Sequence, residues 1–176
     1  QVQTIEVGYR GAIGGKLYLD LNVYYRIYKN FIGDIRVVQP EGSAKAGEES
    51  GEDAILTNSP DNATYTVYQL PMNATQNVAS YGGTAGIVYY FSNKYSASAN
   101  YTYADLNTDN LSDDIIPGFN TPNHKINVGV KGRKVVKTLG FSLNYQWVDN
   151  YTWQSTFGIG PVSSYRILDA QLSYEF

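Results

Sequence analysis

The sequence contains no cysteine, which excludes both a disulfide framework and a thiolate metal site. Histidine occurs once, so neither a metal site nor a catalytic dyad built on imidazole has a second member. Charge of either sign is scarce: 13 Lys and Arg stand against 16 Asp and Glu, a net charge of -3 that gives no electrostatic case for nucleic acid. No apolar run approaches the roughly 20 residues of a membrane-crossing helix. Gln1 is followed by no charged, apolar, small-residue leader, so any secretion signal is expected upstream. Mean hydropathy is -0.33, which by itself suggests a soluble chain. That inference is unsafe, because a membrane strand shows lipid only its alternate side chains and averages as polar.

Tyrosine is what the chain has in excess, with 17 copies, and a period of two is how they are arranged. In KLYLDLNVYYRIY, residues 16–28, Leu17, Leu19, Leu21, Val23, Tyr25 and Ile27 alternate with Lys16, Asp20, Asn22 and Arg26. Such alternation specifies a strand with one oily and one polar face. The pattern recurs and predicts seven strands, near 2–11, 16–32, 79–92, 94–106, 124–133, 138–148 and 165–176. Every second connection is short: AIGG, SNK and KVVK suit hairpin turns. The others, 33–77, 107–123 and 149–164, are long.

Short turns on one side and long loops on the other is the asymmetry of an outer-membrane barrel. A soluble sandwich also alternates, so the aromatics decide. Tyr9, Tyr89, Phe91, Tyr95, Tyr174 and Phe176 fall toward the short turns, and Tyr25, Tyr101, Tyr103, Tyr145 and Trp147 toward the long loops. Aliphatics lie between. Amphipathic rings settle at the headgroup level of a bilayer, whereas a sandwich core has no reason to sort them to both rims. The expected fold is therefore all-β, an antiparallel transmembrane β-barrel. Seven strands leave two edges unpaired in hydrocarbon, so further wall is expected before Gln1 or from another chain.

The outward residues of the last stretch, Leu168, Ala170, Leu172, Tyr174 and Phe176, resemble the terminal signal that outer-membrane proteins present to the barrel-assembly machinery. Longer blocks resemble the C-terminal part of TonB-dependent outer-membrane transporters, of the Bacteroidetes type: TIEVGYRG, KLYLDLNVYYRIYKNFIGDIRVV, GFNTPNHKINVGVKGR, FSLNYQWVDNYTWQSTFG and LDAQLSYEF. The resemblance implies a barrel of about 22 strands in the bacterial outer membrane, with these seven its last. It implies nutrient import driven by inner-membrane energy, with no enzymatic step and no cofactor. Its implied partners are the bilayer, the remaining wall and plug, TonB through the absent part, the assembly machinery and a surface lipoprotein. The plug and TonB-binding box have no counterpart here, which leaves two alternatives: a passive porin-like channel, or a non-transporting scaffold in an outer-membrane assembly. From another class comes a soluble carbohydrate-binding sandwich.

Candidate sites are few. Tyr151, Trp153 and Phe157 crowd the last long loop and could stack on a flat ligand such as a sugar; packing loop against loop is the plainer role. Asp105, Asn107, Asp109 and Asp113 have the one-three-five-nine spacing of a calcium loop, but Ile116 stands where the bidentate Glu belongs, so a solvated acidic loop is expected. GGTAG at 82–86 opens a strand instead of a helix and so offers no phosphate cradle; its glycines suit close strand packing. His124 is expected in a surface or loop-packing role. The acidic segment Glu41 to Asp53 suits a mobile or partner-contacting role. The Asn-x-Ser/Thr sequons at Asn62, Asn73, Asn100, Asn110 and Asn150 mean little in a bacterial protein.

Overall fold

Residues 1–40, 65–109, 111, 115–155 and 158–175 are described in the computed structural model of the chain. Among them run eleven strands: β1 (Val2–Ile13), β2 (Leu17–Tyr28), β3 (Ile32–Pro40), β4 (Tyr65–Asn73), β5 (Val78–Tyr90), β6 (Tyr95–Asn107), β7 (His124–Val136), β8 (Leu139–Val148), β9 (Tyr151–Gln154), β10 (Ile159–Val162) and β11 (Tyr165–Tyr174). Seven form one antiparallel sheet in the order β1-β2-β5-β6-β7-β8-β11, while β3–β4 and β9–β10 are separate hairpins. The large sheet is a meander in chain order, open at β1 and β11.

Directly paired residues share a face, so the register carries each face across the sheet. Tyr9 pairs with Leu21, Leu21 with Ala85, Ala85 with Tyr101, Tyr101 with Ile126 and Ile126 with Trp147. One residue along, Arg10, Asp20, Gly86, Asn100, Asn127 and Gln146 make the corresponding polar row. On the polar face Arg10 pairs with Asp20 at 2.8 Å, Asn22 donates to Glu6 at 2.6 Å, and the Arg26 guanidinium lies 4.3 Å from the Tyr24 ring centroid.

Among the described residues, none covers the apolar face. Val7 is 66% exposed, Val23 60% and Leu172 77%. Among the described residues the buried hydrophobics are Ala74, Val78, Ala104, Ile115 and Val148, and none belongs to this face. Each square ångström of such surface left in water forgoes about 25 cal/mol. A contiguous uncovered face of this size requires an apolar surrounding.

Three details differ from the sequence reading. Strand β2 stops at Tyr28, short of residue 32, because Asn30 takes a φ of 54° that ends the extended backbone. KVVK is not a turn: β7 runs on to Val136 through a register shift after Gly132, with Lys134 at φ 47°, and the turn is Lys137–Thr138. The long connections at 33–77 and 149–164 contain the hairpins β3–β4 and β9–β10.

Candidate functional site

Among the described residues a buried apolar cluster lies at the long-loop end of the sheet. Ala74, Val78 and Ile115 form it, with Tyr28, Phe31, Ile35, Leu106 and Leu111 packed against them. The segment around Ile115 also bonds to the first hairpin: Asp34 N–H donates to the Ile116 carbonyl at 3.0 Å, and Ile116 N–H to the Asp34 carbonyl at 2.7 Å. Gln69 on β4 donates to the Asp34 carboxylate at 2.7 Å.

A few residues further the same segment grips the second hairpin. Asn120 Nδ2 donates to the Gln154 carbonyl at 2.8 Å, and Gln154 N–H donates to Asn120 Oδ1 at 2.6 Å. Gly118 N–H donates to Gln154 Oε1 at 2.9 Å. Asn120 adopts φ 44°, a left-handed conformation that Asn tolerates. Residues 115–120 therefore tie both hairpins to one another. Replacing Asn120 with Ala removes two side-chain bonds, an expected local loss of about 1 kcal/mol. Amide exchange should accelerate at Gln154 while β7 and β8 remain protected.

Of the residues singled out by sequence, Tyr151 and Trp153 share one face of β9, with Gly160 opposite Trp153 and Val162 opposite Tyr151. Tyr151 is half-buried and Trp153 is 47% exposed. The small partner at Gly160 leaves the indole as a platform that could stack on a flat ligand. Phe157 lies outside the described residues, as do Asp113 and the acidic segment 41–53. Of the calcium-spaced residues, Asn107 turns to a protein donor: its Oδ1 accepts from the Asp109 N–H at 3.0 Å.

Asp105 lies on the apolar face, paired with Tyr81. Its Oδ2 accepts from the Tyr81 hydroxyl at 2.8 Å and the Tyr103 hydroxyl at 3.3 Å, and its Oδ1 from Asn123 at 3.0 Å and the Leu106 N–H at 2.9 Å. His124 shares a 2.7 Å hydrogen bond between Nδ1 and the Tyr101 hydroxyl, with the two rings stacked at 6.0 Å. The loop-side rim thus carries a ring-and-hydroxyl band that includes Tyr81, absent from the sequence-derived belt. Nothing in this arrangement positions a nucleophile beside a base. Among the described residues no group of three or more His, Asp and Glu side chains comes together to hold a metal.

A family model described as TonB dependent receptor-like, beta-barrel, matches residues 1–176. The chain belongs to this family of receptor barrels. Two solved structures are similar to it. The copper transporter OprC is 12% identical with a TM-score of 0.68, covering 99% of this chain and 23% of that one. The siderophore receptor PirA from Acinetobacter baumannii is 15% identical with a TM-score of 0.63, covering 99% of this chain and 25% of that one. At these identities the likeness is one of fold. The receptor barrel described here spans about a quarter of the length of either solved chain. No curated protein sequence matches it. Proteins of this family are outer-membrane receptors and transporters, not enzymes, and the antiparallel sheet has the fold of their barrel wall.

Proposed function

We propose that this chain is the wall and extracellular mouth of an outer-membrane receptor that imports a nutrient using inner-membrane energy. The observation that carries the reading is the two-faced meander: a bare apolar face on one side, a polar face on the other, and tied hairpins at one end. In this reading the apolar face meets lipid. The polar face, including Asp20, Asn22 and Arg26, lines the lumen against a plug, while Lys16 sits in the turn before β2. The connections 33–77, 107–123 and 149–164 shape the extracellular side, where a surface lipoprotein would dock. The remaining wall, plug and TonB-binding segment come from sequence outside these residues. Leu168, Ala170, Leu172 and Tyr174, with Phe176 beyond the described residues, serve as the row read by the assembly machinery.

The test is uptake by cells in which the intact protein is the sole route for an iron siderophore, cobalamin, an oligosaccharide or a peptide. Uptake of one of these is expected to collapse when TonB is deleted or the proton gradient is dissipated. Uptake that persists without energy would indicate a porin-like channel and overturn the proposal. Tyr151 and Trp153, together with Phe157, are the residues proposed to contact the nutrient. Trp153→Ala is expected to weaken equilibrium binding of the imported compound about tenfold. Thr152→Ala, on the other face of the same strand, should leave it unchanged.

A further inference from the structure

Two neighbouring short turns of the meander gather positive charge. Lys94 closes the turn between β5 and β6, and Lys137 opens the turn between β7 and β8, with Arg133 and Lys134 just before it on β7. The Arg133 N–H donates to the Lys94 carbonyl at 2.7 Å, which sets these two residues opposite one another at the end of the β6–β7 ladder. Like charges facing each other across a sheet are destabilising. Lys134 is neutralised by Glu175 at 2.8 Å. Lys94, Arg133 and Lys137 are exposed and have no ion-pair partner among the described residues. The backbone adds a second observation. Lys134 and Lys137 have φ values of 47° and 53°, left-handed conformations that Gly or Asn adopts at less cost. Nothing in the backbone favours lysine at either position, so the reason for it lies in the ammonium.

Two features define what meets these cations. The apolar face begins directly at this corner, where Val136 pairs with Leu139 and Phe141 follows two residues along the same strand. Val136 is 65% exposed and Leu139 41%. A lysine or arginine beside such a face lays its stem on the apolar surface and carries its charge to the headgroup level. The corner also lies at the end of the sheet opposite the long loops, so in the reading proposed above it meets the periplasmic leaflet, which is made of phospholipid. A hydrocarbon surface edged by unpaired cations matches an acyl chain with a negatively charged phosphate head.

We propose that this corner binds one anionic phospholipid of the phosphatidylglycerol class. The phosphate sits among Lys94, Arg133 and Lys137, and an acyl chain follows Val136, Leu139 and Phe141. The proposal rests on the membrane-facing reading of the apolar face, with the short turns on the periplasmic side.

The experiment uses the intact protein, purified from outer membranes in mild detergent, stripped of lipid, and given phosphatidylglycerol or phosphatidylethanolamine singly before native mass spectrometry. One phosphatidylglycerol per protein is expected to survive detergent exchange. The double variant Lys94→Gln, Lys137→Gln should lower its retention about thirtyfold, a factor of about five for each lysine at a charged membrane surface. Lys94→Arg with Lys137→Arg should retain it, and Lys29→Gln, past the loop-side end of β2, should behave as the wild type does. Amine acetylation reads the same site without mass retention: Lys94 and Lys137 should react in the stripped protein and be protected once phosphatidylglycerol is added. Equal retention by the glutamine variant and the wild type would overturn the proposal, as would phosphatidylethanolamine held as strongly as phosphatidylglycerol. Lysines that are unreactive before any lipid is added would overturn it too, because an acidic part of the protein itself would then occupy the corner. Heat-dependent gel mobility establishes that each variant is folded. A wild type recovered in the aqueous phase without detergent would overturn the membrane reading itself, a different result from a membrane-embedded protein that keeps no lipid.

Discussion

Arginine at Val128 is expected to prevent stable assembly in a bilayer, while arginine at the adjacent Asn127 is expected to be tolerated. Val128 is 43% exposed on the apolar face, between Ala99 and Tyr145, with Ile126 and Val130 two residues away on the same strand. It lies between the Tyr101–Ile126–Trp147 row and the Tyr95–Gly132–Phe141 row of that face, and toward the midplane a guanidinium on the lipid face of a barrel costs about 2–4 kcal/mol. Asn127 pairs with Asn100 and Gln146 on the opposite face, which already carries Lys125 and Lys131. An added cation there stays among polar groups. Refolding of the intact protein into vesicles, followed by urea titration, measures both effects. A larger loss for Asn127→Arg than for Val128→Arg would mean that the two faces have been assigned the wrong way round.

Much of the sheet was legible because strand alternation is a local property. Each of the segments around Val7, Leu21, Ile87, Ala99, Val128, Leu143 and Leu172 carries its own period-two pattern, and the register then aligns those patterns into one face. The hairpins were not legible in the same way. Strands β9 and β10 have four residues each, too few to display a period, and β4 contains Pro71, which weakens a strand reading. The ties between loops were also hidden. Asn120 and Gln154 are 34 residues apart and meet through side-chain-to-backbone bonds that leave no trace in sequence periodicity.

Asp105 carries a sequence signal of its own. It follows Tyr101 and Tyr103 at steps of two, so its parity alone places it on the oily face of β6. The calcium-like spacing runs along the chain, whereas the bonds of Asp105 to Tyr81 and Asn123 run across the sheet. Across the sheet its partner is Tyr81, and the hydroxyls that converge on it explain how a carboxylate is accommodated at the edge of an apolar face.

The glycines of β5 lead to the second large effect, a contrast between two residues of one motif. A Cβ at Gly82 would press against the Tyr103 carbonyl oxygen and lie 2.7 Å from the Tyr24 hydroxyl. The tyrosine tip can swing aside, but the carbonyl belongs to the backbone of β6 beside the Gly82–Ala104 pair. It can yield only if β5 and β6 separate locally and their ladder weakens. Gly82→Ala is therefore expected to destabilise the protein by about 3 kcal/mol, the upper end of the usual cost of overpacking. A Cβ at Gly86 meets nothing closer than Asn100 Nδ2 at 3.4 Å and the Asp20 carbonyl at 3.5 Å, which are ordinary contacts. Gly86→Ala should stabilise by about 0.5 kcal/mol, since alanine has less freedom to lose on folding. Urea unfolding of the vesicle-embedded protein distinguishes the two, with faster amide exchange in β6 expected for Gly82→Ala alone. Similar midpoints for both variants would show that the close approach of β6 is not what Gly82 serves.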